Sequence, residues 1–271
     1  MESLLLDQLS CLSHPQRMAI FRLLMRRCPD ALPAGEIAQT LGLKPSTSSV
    51  YLSALTQCGL LAQSRQGTSL RYRLDLEAAQ GMVGALFVDC CRGRPDLCPP
   101  HLATAAPRAP FTVLFLCSRN TARSILAEAI LRHEAGGRFT AYSAGIKPAT
   151  AVNAEARAML EARGLPVQGL RSKHISEFQA ADAPRMDFVF TVCDLAANED
   201  CPAWPGQPVS GHWGLPDPVR ATGTEAERRL AFQQSFGALT NRIRAFAALP
   251  FEALDRAALQ RRVDDLATLE A

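Results

Sequence analysis

The sequence predicts two domains, a mainly α-helical one with a β-hairpin and an α/β one built on four parallel strands. Three observations lead there. At 271 residues the chain is long enough for two modules, each burying its own core. Residues 92–110 carry five prolines and no periodicity, and read as a linker. Ahead of them helical periodicity dominates, and behind them strands and helices alternate.

In the first domain, residues 11–27 set Ile20, Leu23 and Leu24 on one helical face, and Pro29 and Pro33 then break the pattern. Residues 35–43 form a short helix closed by Gly42, and Pro45 opens a second that runs to about Gln57 and stops at Gly59. This is a helix-turn-helix. Residues 60–64 and 69–74 read as two strands around Gln66, Gly67 and Thr68, a hairpin wing with Arg65, Arg71 and Arg73 on its arms. A helix over 76–89 carries Met82, Val83, Leu86 and Phe87, more apolar surface than one water-facing helix needs, as expected of a dimer interface.

The second domain opens with a buried strand at 111–116, followed by a polar loop and a helix to about 133. Further strands are expected near 139–143, 188–192 and 209–212, with a helix at 153–163. Phe232, Phe236, Leu239, Ile243 and Phe246 recur every three or four residues on a long later helix. Such alternation implies a parallel sheet covered on both faces. The expected division is 1–91 for DNA binding and dimerisation, 92–110 for the linker, 111–250 for the α/β domain and 251–271 for a helical extension.

The net charge of +3 conceals an asymmetry. Residues 14–74 hold eight Lys or Arg against Asp30 and Glu36, whereas 111–271 hold 18 basic and 18 acidic residues. A basic first domain suits DNA phosphates. No stretch approaches the roughly 20 apolar residues of a membrane span, and the first residues lack the basic start of a secretion signal, so a cytoplasmic location is expected. Nine cysteines in a reducing compartment point to metal or redox chemistry rather than structural disulfides. Cys11, Cys28 and Cys58 are expected to be packing residues.

A helix-turn-helix presents its second helix to the major groove while a wing reaches the flanking backbone. Lys44, Ser46, Thr47, Ser48, Ser49 and Tyr51 lie in or just before that helix, and none is a bidentate base reader. A winged helix used for protein contacts is the competing reading. His14-Pro15-Gln16-Arg17, the helix-turn-helix and the Arg-flanked wing resemble the ArsR family of small dimeric metal-responsive repressors, over residues 5–90. The resemblance implies operator DNA and a homodimer as partners.

The stretch 34–38, where one version of that family places thiol ligands, has none here. Cys90, Cys91 and Cys98 instead look like the C-terminal arsenite site of a family subset. Three thiolates without a fourth ligand suit As(III) or Sb(III) better than structural zinc. Three incidental thiols beside a linker are the alternative.

Cys117-Ser118-Arg119-Asn120-Thr121-Ala122-Arg123-Ser124 joins a buried strand to a helix. Successive backbone N–H groups and the helix N-terminus then aim at one spot, forming an oxyanion cradle that also favours the Cys117 thiolate. Arg123 can grip two oxygens of a tetrahedral anion, Ser124 can donate to the thiolate, and Asn120 can hold the loop in shape.

The loop, with Pro216-Asp217-Pro218, resembles the low-molecular-weight protein tyrosine phosphatase superfamily over residues 111–250. That resemblance makes Asp217 the general acid. Phosphatases and arsenate reductases share the scaffold. The segments around Cys193 and Cys201, with 142–145 and 212–214, look like the reductase branch.

The implied reaction is attack of Cys117 on arsenate, then of Cys193 on the Cys117 sulfur with release of arsenite, then transfer of the disulfide to Cys201. No tightly bound cofactor is implied, only an external reductant, thioredoxin or glutathione with glutaredoxin. A rigid helix over 193–201 would separate its ends by about 12 Å, beyond the roughly 4.4–6.8 Å of a disulfide, so that segment must bend or unwind. Three alternatives stay open: resolution by an external thiol, a tyrosine phosphatase joined to a transcription regulator, and a DNA-bound redox sensor without turnover.

Overall fold

The computed structural model describes residues 2–86, 90, 110–180, 182–199, 204 and 208–269. They fall into two compact units, each with its own core. Among the described residues, no helix is long and apolar enough to cross a membrane.

The first unit contains α1 (Glu2–Leu12), α2 (Pro15–Arg26), β1 (Leu32–Pro33), α3 (Ala34–Thr40), α4 (Pro45–Gln57), β2 (Leu61–Gln66), β3 (Ser69–Leu74) and α5 (Leu76–Ala85). The single helix expected over 11–27 is corrected to two. Pro15 has no N–H to continue a helix, and His14 caps the restart by accepting the Gln16 N–H at 3.2 Å. Ile20, Leu23 and Leu24 of α2 meet Leu52 and Leu55 of α4, all fully buried.

The wing is an antiparallel pair in which Gln66 faces Ser69 across Gly67 and Thr68, with Gly67 at φ 60°. β1 adds a short third strand to β3, giving the order β1-β3-β2. Asp75 caps α5 by accepting the Ala78 N–H at 3.0 Å. Met82 faces the core and Val83 is exposed; the rest of the helix expected to 89 lies mostly outside the described residues.

The second unit runs β4 (Phe111–Cys117), α6 (Arg123–Ala135), β5 (Phe139–Gly145), α7 (Ala154–Ala162), β6 (Phe188–Thr191), α8 (Asp194–Asn198), β7 (Val209–His212), α9 (Glu225–Ala247) and α10 (Arg256–Leu266). All strand pairings are parallel, in the order β5-β4-β6-β7. Alternation along β4 sends Phe111, Val113, Phe115 and Cys117 to one face, and Leu114 and Leu116 to the other.

The first face carries the larger core, to which α6, α7, α8, α9 and α10 all contribute. The opposite face is covered by a smaller layer: Ile175 and Phe178 from a 3-10 turn, with Met186 and Tyr142. Cover on both faces holds, with the helices concentrated on one. α10 packs against β7 so closely that a Cβ on Gly211 would lie 2.7 Å from Val263.

Candidate active site and nucleic-acid face

Cys117 ends β4 inside the sheet, and α6 starts six residues later at Arg123. The loop between them is pinned from outside by the segment after β5. The carbonyls of Cys117, Ser118, Arg119 and Thr121 accept N–H groups of Ile146, Lys147, Ala149 and Asn153 at 2.9–3.3 Å. Holding these carbonyls outward leaves amides to face inward, and the Asn120 N–H points at the Cys117 sulfur from 3.0 Å. Asn153 also caps α7 through Ala156.

Asn120 is fully buried and takes a left-handed conformation, φ 50°. Its side-chain amide donates to Ser124 Oγ at 2.9 Å and Ser143 Oγ at 2.8 Å, and its carbonyl oxygen accepts the Lys173 N–H at 2.7 Å. Ser124 Oγ lies 2.9 Å from the Cys117 sulfur. Asn120 occupies one lone pair of that hydroxyl, so its proton and its other lone pair both remain able to meet the sulfur. Further back, Ser143 donates to buried Glu128, whose carboxylate also meets Arg132 and, at 3.2 Å, the Lys173 ammonium.

Burial pulls the Lys173 pKa below the usual lysine range, against the opposing pull of Glu128. A Cβ on Gly145 would stand 3.0 Å from the Ser118 carbonyl oxygen and 3.1 Å from the Arg119 carbonyl carbon. Gly145, Glu128, Ser143 and Lys173 are what the sequence reading missed as supports of the loop. Gly145, Ser143 and Lys173 are at least 19 residues from the loop, and Glu128, four residues past Ser124, reaches it only through Ser143, so no local spacing reveals them.

Cys193 precedes α8 and is buried; its sulfur accepts the Ser118 N–H at 3.2 Å and the Ala196 N–H at 3.4 Å. A second thiol thus sits on the loop that holds the first. Burial raises the Cys193 pKa, the nearby Cys117 adds to the rise, and Arg123 with the two amides opposes it. His212 is within 2.8 Å of Thr191 Oγ1 and 3.2 Å of Asp194 Oδ1, bracing the start of α8. α8 stops at Asn198, and Glu199 is already extended, so one rigid helix does not follow Cys193. Cys201 lies outside the described residues.

Arg123 divides its guanidinium between the Leu215 carbonyl at 2.7 Å and the Asp217 carboxylate at 2.9 Å. A cavity of about 720 Å³ opens here, lined by Arg123, Cys193, Asp217, Arg220 and Gln234 among others. Ser118 and Thr121 are half-buried, Arg119 is exposed and Ala122 buried, so the expected loop residues come together around Cys117.

In the first unit, α4 exposes Ser46, Ser49, Val50 and Ser53 along one stripe, with Lys44 exposed just before it and Thr47 half-buried. Ser48 corrects an expectation: it is 1 % exposed, on the face shared with Leu52 and Leu55, and cannot reach a groove. Its four- and seven-residue spacing to those leucines was the signal for an inward position, and Val50 and Ser53 were the outward residues overlooked. Tyr51 leans on His14, with ring centres 4.8 Å apart. Arg65 and Arg73 are exposed on the wing, whereas Arg71 is half-buried and donates to the Ala31 carbonyl at 3.0 Å. Cys90 is exposed; Cys91 and Cys98 lie outside the described residues.

Residues 112–261 match the low molecular weight phosphotyrosine protein phosphatase family, and residues 12–64 match a helix-turn-helix domain. An arsenate reductase of Bacillus subtilis (strain 168) is 35% identical over 135 residues, covering 50% of this chain and 94% of that protein. One of Shouchella clausii is 34% identical over 137 residues, again 50% and 94%. A glutaredoxin arsenate reductase of Synechocystis sp. is 33% identical over 106 residues, 39% of this chain and 77% of that protein. With the Cys117 loop leaving the end of β4 and more than half its length matched, the chain belongs to the low molecular weight phosphotyrosine protein phosphatase family and carries a helix-turn-helix domain ahead of it.

Proposed function

We propose that the chain is a thiol-dependent arsenate reductase joined to an As(III)-responsive repressor. The observation that carries this reading is the hydrogen bond from the Ser118 amide to the Cys193 sulfur, because phosphate ester hydrolysis has no use for a second thiol at the nucleophile loop. The relatives named arsenate reductase support the same choice.

Cys117 attacks arsenate and displaces water, with Asp217 as proton donor and Arg123 with the loop amides holding the oxyanion. Cys193 then loses its proton and attacks the Cys117 sulfur. The S–As bond breaks, its electron pair reduces arsenic to the trivalent state, and arsenite leaves as the Cys117–Cys193 disulfide forms. Cys201 takes over Cys193, and thioredoxin or glutaredoxin reduces the outer disulfide. The early end of α8 supports a segment able to bring Cys201 inward.

Residues 1–91 act as a cytoplasmic homodimer on operator DNA, with 92–110 as linker and 111–250, extended by 251–271, as the enzyme. Ser46, Ser49 and Tyr51 on α4 face the groove, and Lys44, Arg65 and Arg73 meet phosphates. Cys90, Cys91 and Cys98 bind the soft trivalent product and not arsenate, a hard oxyanion. Operator release, followed by fluorescence anisotropy, tests the whole scheme. Arsenite should release wild type and Cys117→Ser, and arsenate with a reductant system should release wild type alone. A Cys90/Cys91/Cys98 triple Ser variant should respond to neither. Release of Cys117→Ser by arsenate, with no arsenite formed, overturns the scheme.

A further inference from the structure

We propose that Cys11 and Cys58 form a second site for trivalent arsenicals, a buried dithiol that bridges the end of α1 to the end of α4. It shares the soft-ligand chemistry of the effector site proposed above but none of its residues. Cys11 sits one residue before the end of α1, and Cys58 is the C-cap of α4. Gln8 and Cys11, three apart, share a face of α1. Gln8 donates to the Cys58 carbonyl at 3.3 Å, which sets that face of α1 against the end of α4 and makes Cys58 the neighbour of Cys11, and the Cys58 thiol itself meets the Leu55 carbonyl at 3.3 Å.

Both residues are 8 % exposed and belong to the hydrophobic core of the first unit. The Arg17 guanidinium, held on the Cys11 and Ser10 carbonyls, supplies positive charge beside the pair. Burial and the neighbouring Cys58 push the Cys11 thiol up to about 11, so Cys11 stays protonated and resists oxidants that need its thiolate. A ligand that exchanges each S–H for a covalent bond removes that obstacle. Soft As(III) is such a ligand, and two neighbouring thiols can satisfy two of its three bonds.

Phenylarsine oxide, whose third bond is already made to carbon, probes a dithiol directly. Its As=O and the two S–H groups become two As–S bonds and one water, and arsenic stays trivalent throughout. The test uses the full chain with Cys28, Cys90, Cys91, Cys98, Cys117, Cys193 and Cys201 changed to serine. Native mass spectrometry should find one arsenical per folded chain with both remaining thiols consumed, and Cys58→Ala in that background should abolish the adduct.

A folded seven-serine chain that takes up no arsenical, an adduct that survives Cys58→Ala, or a Cys11–Cys58 disulfide without arsenic overturns the proposal. Should the seven-serine chain fail to fold, wild type decides. After treatment, Cys11 and Cys58 should be protected together from alkylation on unfolding, and alkylation of both overturns the site. Because the seven-serine chain lacks Cys90, Cys91 and Cys98, its result is separable from that of the effector site.

Discussion

Asn120→Ala should destabilise the second unit by about 4 kcal/mol. The Asn120 side chain makes three buried hydrogen bonds, to Ser124, Ser143 and the Lys173 amide. Removing it leaves the Lys173 N–H without this acceptor, at about 1–3 kcal/mol, and takes a donor from each hydroxyl, at about 0.5–1 kcal/mol apiece. Alanine in the left-handed conformation that Asn120 holds at φ 50° adds about 1 kcal/mol, a penalty glycine escapes. Asn120→Gly should therefore cost about 3 kcal/mol. Urea unfolding can be followed through the fluorescence of Trp213, fully buried with its ring centre 4.0 Å from that of Phe190. A cost below about 1.5 kcal/mol for Asn120→Ala, or a glycine variant no more stable than the alanine one, would refute this account of the loop.

Gly145→Ala puts a methyl against loop backbone that cannot rotate away, and should weaken inorganic phosphate binding by roughly tenfold or more; calorimetric affinity equal to wild type would show that the loop can yield. Ser48→Ala removes a buried hydroxyl whose oxygen has no hydrogen-bond partner among the described residues. It should leave operator affinity unchanged and raise stability by up to about 1 kcal/mol, and weakened operator binding would return Ser48 to the DNA face. In the proposed relay only the thiolate of Cys193 attacks, and its pKa lies above the ordinary thiol value. The rate of disulfide formation in single-turnover quench experiments should thus keep rising, about tenfold per pH unit, through pH 9; a plateau below pH 8 contradicts the raised pKa.

The parts of this protein legible from sequence are those written in local pattern. Phe111–Cys117 is nearly all apolar because a central parallel strand is buried on both faces, and the polar loop after it could hardly be anything but a strand-to-helix turn. The wing announces itself by Gly67 between two short strands. α1 and β1 escaped for different reasons. α1 exposes Leu4 and Leu6, which blurs its amphipathic stripe, and two-residue β1 contains Pro33 and exists only because β3 is there to pair with it. Of the site, Asp217 is identified only through the family resemblance, whereas the Cys117–Ser124 loop with Arg123 could be read from spacing. The Glu128–Ser143–Asn120 chain behind the loop could not, because residues from three elements meet there only once the sheet has formed.

The central claim is that two thiols of one chain reduce arsenate. Its most direct test is a single turnover of Cys201→Ser with arsenate and no added reductant, followed by acid quench and peptide mapping. The account predicts one arsenite released per chain and one disulfide, joining Cys117 to Cys193. Arsenite released while Cys193 remains a free thiol would contradict it.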